Sequence, residues 1–310
     1  MTSYIMEQHQ KNEGGNGLIL YYLSHTFRFP KDFPMLTYVS QILQAEAMRY
    51  GVEHWRRNRN GYRCMGTLYW QYNDCWPVAS WSGIEYNHHW KALNYYAKRF
   101  FAPVLLSAEE TECAVKLHIT NDRQQPFDGL VRWSLEKLDG TVITSAEALV
   151  NVPAASDTCI AELDFSEVLD DEARRTSILV YELYHGDERM SMGTVSFAPS
   201  KHLKLSEVKI TTDVKEVDGV IQLTLTSDKT ARFVMLEVPV DCSDRRRLLE
   251  KEQSADGWRL AAGGCEVRFS DNFFDLPAGR SVTVDVGQSA GLSADEIARE
   301  LRIVSLRDSY

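Results

Sequence analysis

The feature that most constrains this chain is a change of hydrophobic period near Leu105. Before it, apolar residues recur at the three-to-four spacing of helices. After it, short runs alternate apolar and polar positions between turn residues, the pattern of strands with one buried face. A 310-residue chain exceeds one ordinary domain, and the change of period divides it. Residues 1–104 read as α/β, and two all-β units follow at 105–200 and 201–310.

In the first unit the clearest helix runs from about Asp32 to Arg57. Leu36, Val39, Leu43, Ala47 and Tyr50 share one face, and Pro30 with Asp32 supplies a start. The turn Asn58-Arg59-Asn60-Gly61 leads into Cys64–Gln71, an apolar run bounded by turn residues that predicts a fully buried strand. A second helix is predicted from about His88 to Phe100, with Trp90, Leu93, Tyr96, Ala97 and Phe100 on one face and Pro103 ending it. Helix, strand and helix in this order are pieces of a βα repeat.

In the second unit strands are predicted at Cys113–Thr120, Gly129–Leu138, Thr141–Val150, Thr158–Asp164, Thr176–His185 and Met190–Ala198, the spacing of an Ig-like antiparallel sandwich. Ala198-Pro199-Ser200-Lys201 reads as a linker. The pattern then restarts at Leu205–Thr212, Gly219–Thr226, Thr230–Val238, Cys265–Phe269, Ser281–Val286 and Leu301–Leu306. Asp241–Gly257 is too charged for a strand and reads as a loop or short surface helix.

Composition removes several function classes. A net charge of −10 argues against nucleic-acid and anionic-membrane partners, which need clustered basic surface. The run Arg245-Arg246-Arg247 follows Asp241 and Asp244 and reads as a solvated loop face. No stretch approaches the roughly 20 apolar residues of a membrane helix. The N-terminus lacks signal-peptide character and no Asn-x-Ser/Thr sequon occurs, so a soluble, cytoplasmic protein is expected. Six cysteines without CxxC or zinc-ligand spacing read as reduced, buried thiols, with intradomain pairs as the alternative. His88 and His89 lack a matching acidic ligand set, so neither metal nor cofactor is expected.

The block Gly66-Thr67-Leu68-Tyr69-Trp70-Gln71-Tyr72-Asn73-Asp74-Cys75-Trp76-Pro77-Val78-Ala79-Ser80-Trp81-Ser82 resembles the last barrel strand and following loop of β-mannosidases of glycoside hydrolase family 2. Trp90–Pro103 is similar to the helix that closes their barrel. Gln41, Gln44-Ala45, Val52-Glu53 and Trp55-Arg56-Arg57 are similar to the helix before that strand. Phe197–His202 and Ser270–Leu276 resemble motifs of their two C-terminal sandwiches.

The resemblance implies the end of a (β/α)8 barrel followed by two Ig-like sandwiches. It implies a retaining exo-β-mannosidase, whose two carboxyl groups stand about 5 Å apart. Both are Glu on earlier barrel strands, so no catalytic residue is expected here, and this chain alone is expected to be inactive. Asp74 and Glu85 form no credible substitute pair, since a barrel missing most strands supplies no sugar-shaped cleft.

By resemblance, Trp70 stacks against the mannose at the cleavage subsite, while Asn73 or Asp74 either binds hydroxyls or holds the loop; Trp76 is a further candidate contact. In isolation a Trp in a buried strand is more often core than ligand platform, and Trp76 and Trp81 can simply pin the loop. The implied partners are a β-mannoside oligosaccharide and the rest of the barrel. Two other readings stay open at this point: a non-catalytic carbohydrate- or protein-binding sandwich module, and a sister activity on β-galactosides or β-glucuronides. Without neighbouring strands, residues 1 to about 104 are expected to be partly disordered, docked on the first sandwich, or self-associated.

Overall fold

The computed structural model describes residues 3–240 and 266–310. The charged segment expected as a loop or surface helix, its triple-arginine run, Cys242 and Cys265 lie outside the described residues; the other four cysteines are free thiols, but Cys75 and Cys159 are exposed rather than buried.

The chain opens with helices α1 (Tyr4–Gln8), α2 (Gly15–Thr26) and α3 (Phe33–Arg57). Helix α3 starts where the sequence places it. The Asp32 side chain accepts from Met35 N at 2.9 Å, proline occupies the first turn, and His54, Arg56 and Arg57 complement the C-terminal dipole. Helix α4 is shorter than the periodicity suggests, spanning Ala92–Phe100. The histidines ahead of it lie in an exposed turn, with His88 at φ 71°.

Between α3 and α4 the predicted buried strand is absent. Residues 64–69 have no regular secondary structure and join no ladder. Leu68 is 96% exposed and Trp70 76% exposed, so neither belongs to the core. A parallel barrel strand is stable only when flanked on both edges and covered on both faces, and this chain supplies neither flank.

The first sandwich contains β1 (Val104–Glu110), β2 (Ala114–Asn121), β3 (Phe127–Lys137), β4 (Val142–Val152), β5 (Ser156–Asp164), β6 (Ser177–His185) and β7 (Glu188–Ser196). Sheets β1-β2-β5 and β4-β3-β6-β7 are antiparallel throughout. Their inward residues, among them Leu106, Leu117, Ile119, Val131, Leu135, Leu179 and Leu183, form one core. Strand β1 and helix α5 (Asp171–Thr176) were not predicted.

The second sandwich pairs sheet β11-β13-β9-β8 with sheet β12-β10-β14. Its strands are β8 (Ile210–Val217), β9 (Val220–Ser227), β10 (Ala231–Glu237), β11 (Arg268–Phe269), β12 (Phe274–Leu276), β13 (Ser281–Gln288) and β14 (Arg302–Val304). Leu223, Leu225, Val234, Leu236, Leu276 and Val284 fill its interior. Helix α6 (Ala294–Glu300), started by a Ser293/Glu296 capping box, and β12 were also unpredicted.

The helices share their core with the second sandwich. Leu23, Tyr38, Val39, Ile42, Leu93, Tyr95 and Phe100 pack in one cluster with Phe233, Phe273 and Leu306. Contact with the first sandwich is mostly polar. Arg56 donates to Asp122 and, within the helical segment, to Phe100 O and Ala102 O; Arg57 donates to Ser107 Oγ and Ala108 O, and Asn60 exchanges two hydrogen bonds with the Asp157 backbone. The expected docking is therefore found, but its apolar part lies on the other sandwich. The expected linker is a 3-10 turn at Ser200–His202, tied to α2 because Lys201 Nζ donates to Ser24 O and Arg28 Nε to Lys201 O.

Candidate functional site

The 70–84 loop lies between α3 and α4, and two neighbours and its own backbone fix it. Gln44 Nε2 of α3 donates to Trp81 O at 2.7 Å. Segment 9–11 pairs with Ala79 through Lys11 N→Ala79 O and Ala79 N→His9 O. Inside the loop, Asp74 N donates to Ile84 O, and Ile84 N to Tyr72 O.

The fourth anchor is a buried carboxylate. Asp74 accepts from Ser80 Oγ at 2.5 Å, Ser82 Oγ at 2.5 Å, Lys91 Nζ at 3.2 Å and Gln71 Nε2 at 3.3 Å. Lys91, the residue preceding α4, also donates to Ser82 Oγ at 2.7 Å. Burial alone would raise the Asp74 carboxyl, but the two serine hydroxyls and the Lys91 ammonium outweigh it and hold it below the usual carboxylate range. Every oxygen of Asp74 is thus engaged within the loop and its helix.

This anchoring leaves an aromatic rim. Tyr69 points inward onto Phe100 and Phe101, with ring centroids 6.5 and 6.4 Å away. Trp70 follows on the opposite side and stands in solvent, and the Trp70–Gln71 peptide is cis. Asn73 is exposed and its Nδ2 donates to Asp74 O at 3.4 Å. Trp76 is half-buried, tilted against the His9 ring at 5.4 Å, while His9 Nδ1 meets Pro77 O at 2.6 Å.

Of the four predicted site residues, Trp70 and Asn73 therefore present free faces, Trp76 has one face against His9, and Asp74 is turned inward. Glu85 pairs with His89, so it and Asp74 are committed to different partners. Sequence reasoning missed the roles of Ser80, Ser82, Lys91 and Gln44. The Ser-x-Ser spacing near an acid was a usable signal, whereas Lys91 lies 17 positions from Asp74 and only the fold brings it there. An exposed aromatic beside a polar, firmly held loop suits the apolar C–H face of a pyranose.

Comparison with known proteins places this rim in context. Residues 113–202 match the Mannosidase Ig/CBM-like domain and residues 258–309 an Ig-fold domain of the mannosidases. A β-mannosidase of Mus musculus is 27% identical over 322 residues, covering 97% of this chain and 33% of that protein. Beta-mannosidase B of Aspergillus niger is 28% identical over 312 residues, covering 95% and 33%. The crystal structure of a β-D-mannosidase from Dictyoglomus thermophilum superposes with a TM-score of 0.83 at 25% identity, covering 98% of this chain and 34% of that one. An exo-chitosanase of Amycolatopsis orientalis shares the fold at a TM-score of 0.68 and 17% identity, covering 96% and 37%. The chain thus spans about a third of the length of the curated relatives it matches.

Proposed function

This chain corresponds to the C-terminal region of the β-mannosidases of glycoside hydrolase family 2, and from that premise we propose that it supplies one wall of a sugar site whose catalytic carboxyl groups stand elsewhere. The observation that carries this reading is Trp70, 76% exposed on a loop whose charged groups are consumed in holding it still. An aromatic left in water on a fixed scaffold is arranged for a ligand rather than for the core.

In the completed site the reaction is hydrolysis of terminal, non-reducing β-D-mannose residues with retention of configuration. Two glutamates outside the matched motif serve as nucleophile and acid/base. Trp70 stacks on the mannose face, Asn73 offers its amide to a hydroxyl, Trp76 borders the entrance, and Asp74 holds the loop that carries them. The chain alone does not hydrolyse β-mannosides.

The remaining barrel has a surface to cover. Tyr62, Met65, Leu68 and Tyr72 are each at least 66% exposed. Burying such side chains is worth about 1.5–3 kcal/mol apiece, so barrel elements from preceding sequence or from a second chain are the natural partner.

The test is an assay on an aryl β-mannoside with this chain and with a version extended upstream to a full barrel. Silence from the first and turnover by the second is the expected result; turnover by this chain alone would overturn the proposal. In the extended protein, Trp70→Ala should lower kcat/KM by roughly 10–100-fold, and in this chain, where Trp70 is 76% exposed, it should leave the unfolding free energy within about 0.5 kcal/mol. A large loss of stability would return Trp70 to the core.

A further inference from the structure

A cavity separate from the aromatic rim shares none of the rim's residues in its lining. It lies where α3, α4 and both sandwiches meet, is partly open to solvent, and has a volume of about 450 Å³. Its wall carries six Lys or Arg residues against four Asp or Glu.

Most of these charges already have partners. Arg49 spends its guanidinium on Glu46 and Glu53, and Arg99 donates to Asn272 O and Phe273 O. Arg232 differs. It is 5% exposed and its Nε donates to Asp275 Oδ1 at 2.9 Å, but its Nη1 is buried without a hydrogen-bond partner. Ser191 of β7 lines the same cavity, and its Oγ is buried and equally unpartnered. Leaving a charged donor unmet costs more than a neutral one. The unmet groups are a guanidinium N–H and a hydroxyl, both able to donate, and the wall's acidic side chains show no such deficit among the described residues. The occupant that satisfies this wall carries acceptors and negative charge.

We propose that the junction cavity binds a small oxyanion, of phosphate, sulfate or carboxylate type, between Arg232 of the second sandwich and Ser191 of the first. Binding there ties the two sandwiches and the helical segment together. The inference is independent of the hydrolase reading.

The experiment is thermal unfolding of the full chain, titrated with sodium phosphate, sulfate or acetate at constant ionic strength held with chloride, together with calorimetric titration of the same salts into folded protein. Phosphate and sulfate stabilise most proteins non-specifically, in proportion to concentration. A bound oxyanion adds a saturable rise, about 4 °C at 100-fold over Kd, and a saturable heat. Saturation by phosphate and sulfate alone identifies a tetrahedral ligand, and saturation by acetate as well a carboxylate.

Arg232→Gln should abolish the saturable part and keep the linear part. Since this change also strands Asp275, Ser191→Leu serves as the second variant, filling the cavity from β7 with the Arg232–Asp275 pair intact. Absence of any saturable component in the unmodified chain, or its persistence in Ser191→Leu, would overturn the proposal.

Discussion

At the scale of single residues, Asp74 decides whether the aromatic rim has a fixed shape. Its side chain is 2% exposed and that of Lys91 12%, so removing the negative charge leaves a mostly buried ammonium without its counterion. Asp74→Asn should cost roughly 2–4 kcal/mol and broaden the emission of the surrounding tryptophans in a fluorescence-monitored urea titration. The pH dependence has a definite sign. The folded-state carboxyl is held below its ordinary value, so the anchor's contribution is complete above an unfolded pKa of about 4 and is lost as pH falls through the lower folded value. An acid titration of tryptophan fluorescence should show a step below pH ~4 that Asp74→Asn lacks. An unchanged step in the variant would assign it to another carboxyl. The motif made Trp70, Asn73, Asp74 and Trp76 legible as a group, but it left open whether the acid faces sugar or loop. That choice rests on Ser80, Ser82 and Lys91 converging on one carboxylate, and sequence spacing does not encode convergence.

Among the elements, α3 shows how far periodicity reaches. Its start and length follow from Asp32, the prolines and the helical spacing, because capping and periodicity are local properties, but the buried stripe runs through Tyr38, Val39, Ile42, Ala45 and Val52, while Ala47 and Tyr50 of the predicted face are exposed. Its docking partner is not local. Tyr38 is 3% exposed, donates to Phe233 O at 2.5 Å and stacks near Phe273 at 6.2 Å, so the helix is seated on a sandwich almost 200 residues away. Phe273→Ala should cost about 3–5 kcal/mol. It should speed amide exchange in α3 and α4 while leaving β2, β3 and β6 protected. Equal acceleration in the first sandwich would mean that the helices depend on both units alike. The same distinction explains the strand predicted at 64–71. Its composition fits a buried strand, but a parallel strand forms only beside neighbours, and the helices and sandwiches cannot provide a ladder. Strand β1 was missed for the converse reason: its first five residues are all buried, so no alternation marks it.

For the whole molecule, the question is whether the three folded parts melt together. The sandwiches meet through Arg280, whose Nη1 donates to Glu136 Oε2 at 2.8 Å and Nη2 to Ser134 Oγ at 3.0 Å, while Glu136 itself is 0% exposed. Thr230 N donates to Leu138 O at 2.8 Å nearby, and Gly140, at φ 91°, sits so close that a Cβ would lie 2.7 Å from Ala278 Cβ. Because the helices share their apolar core with the second sandwich and their polar contacts with the first, loosening the seam between sandwiches strains every interface. Calorimetry of the unmodified chain should therefore give one cooperative endotherm. Arg280→Met removes the partner of a fully buried carboxylate, a change worth about 3–5 kcal/mol, and should split that endotherm. The lower transition would contain the second sandwich with α3 and α4, and the upper one the first sandwich, whose core is built from its own seven strands. Two transitions already present in the unmodified chain would show that the shared helical core does not couple the units. A single endotherm shifted downward in Arg280→Met would instead place the coupling in the helices, and adding Phe273→Ala to that variant should then separate the transitions.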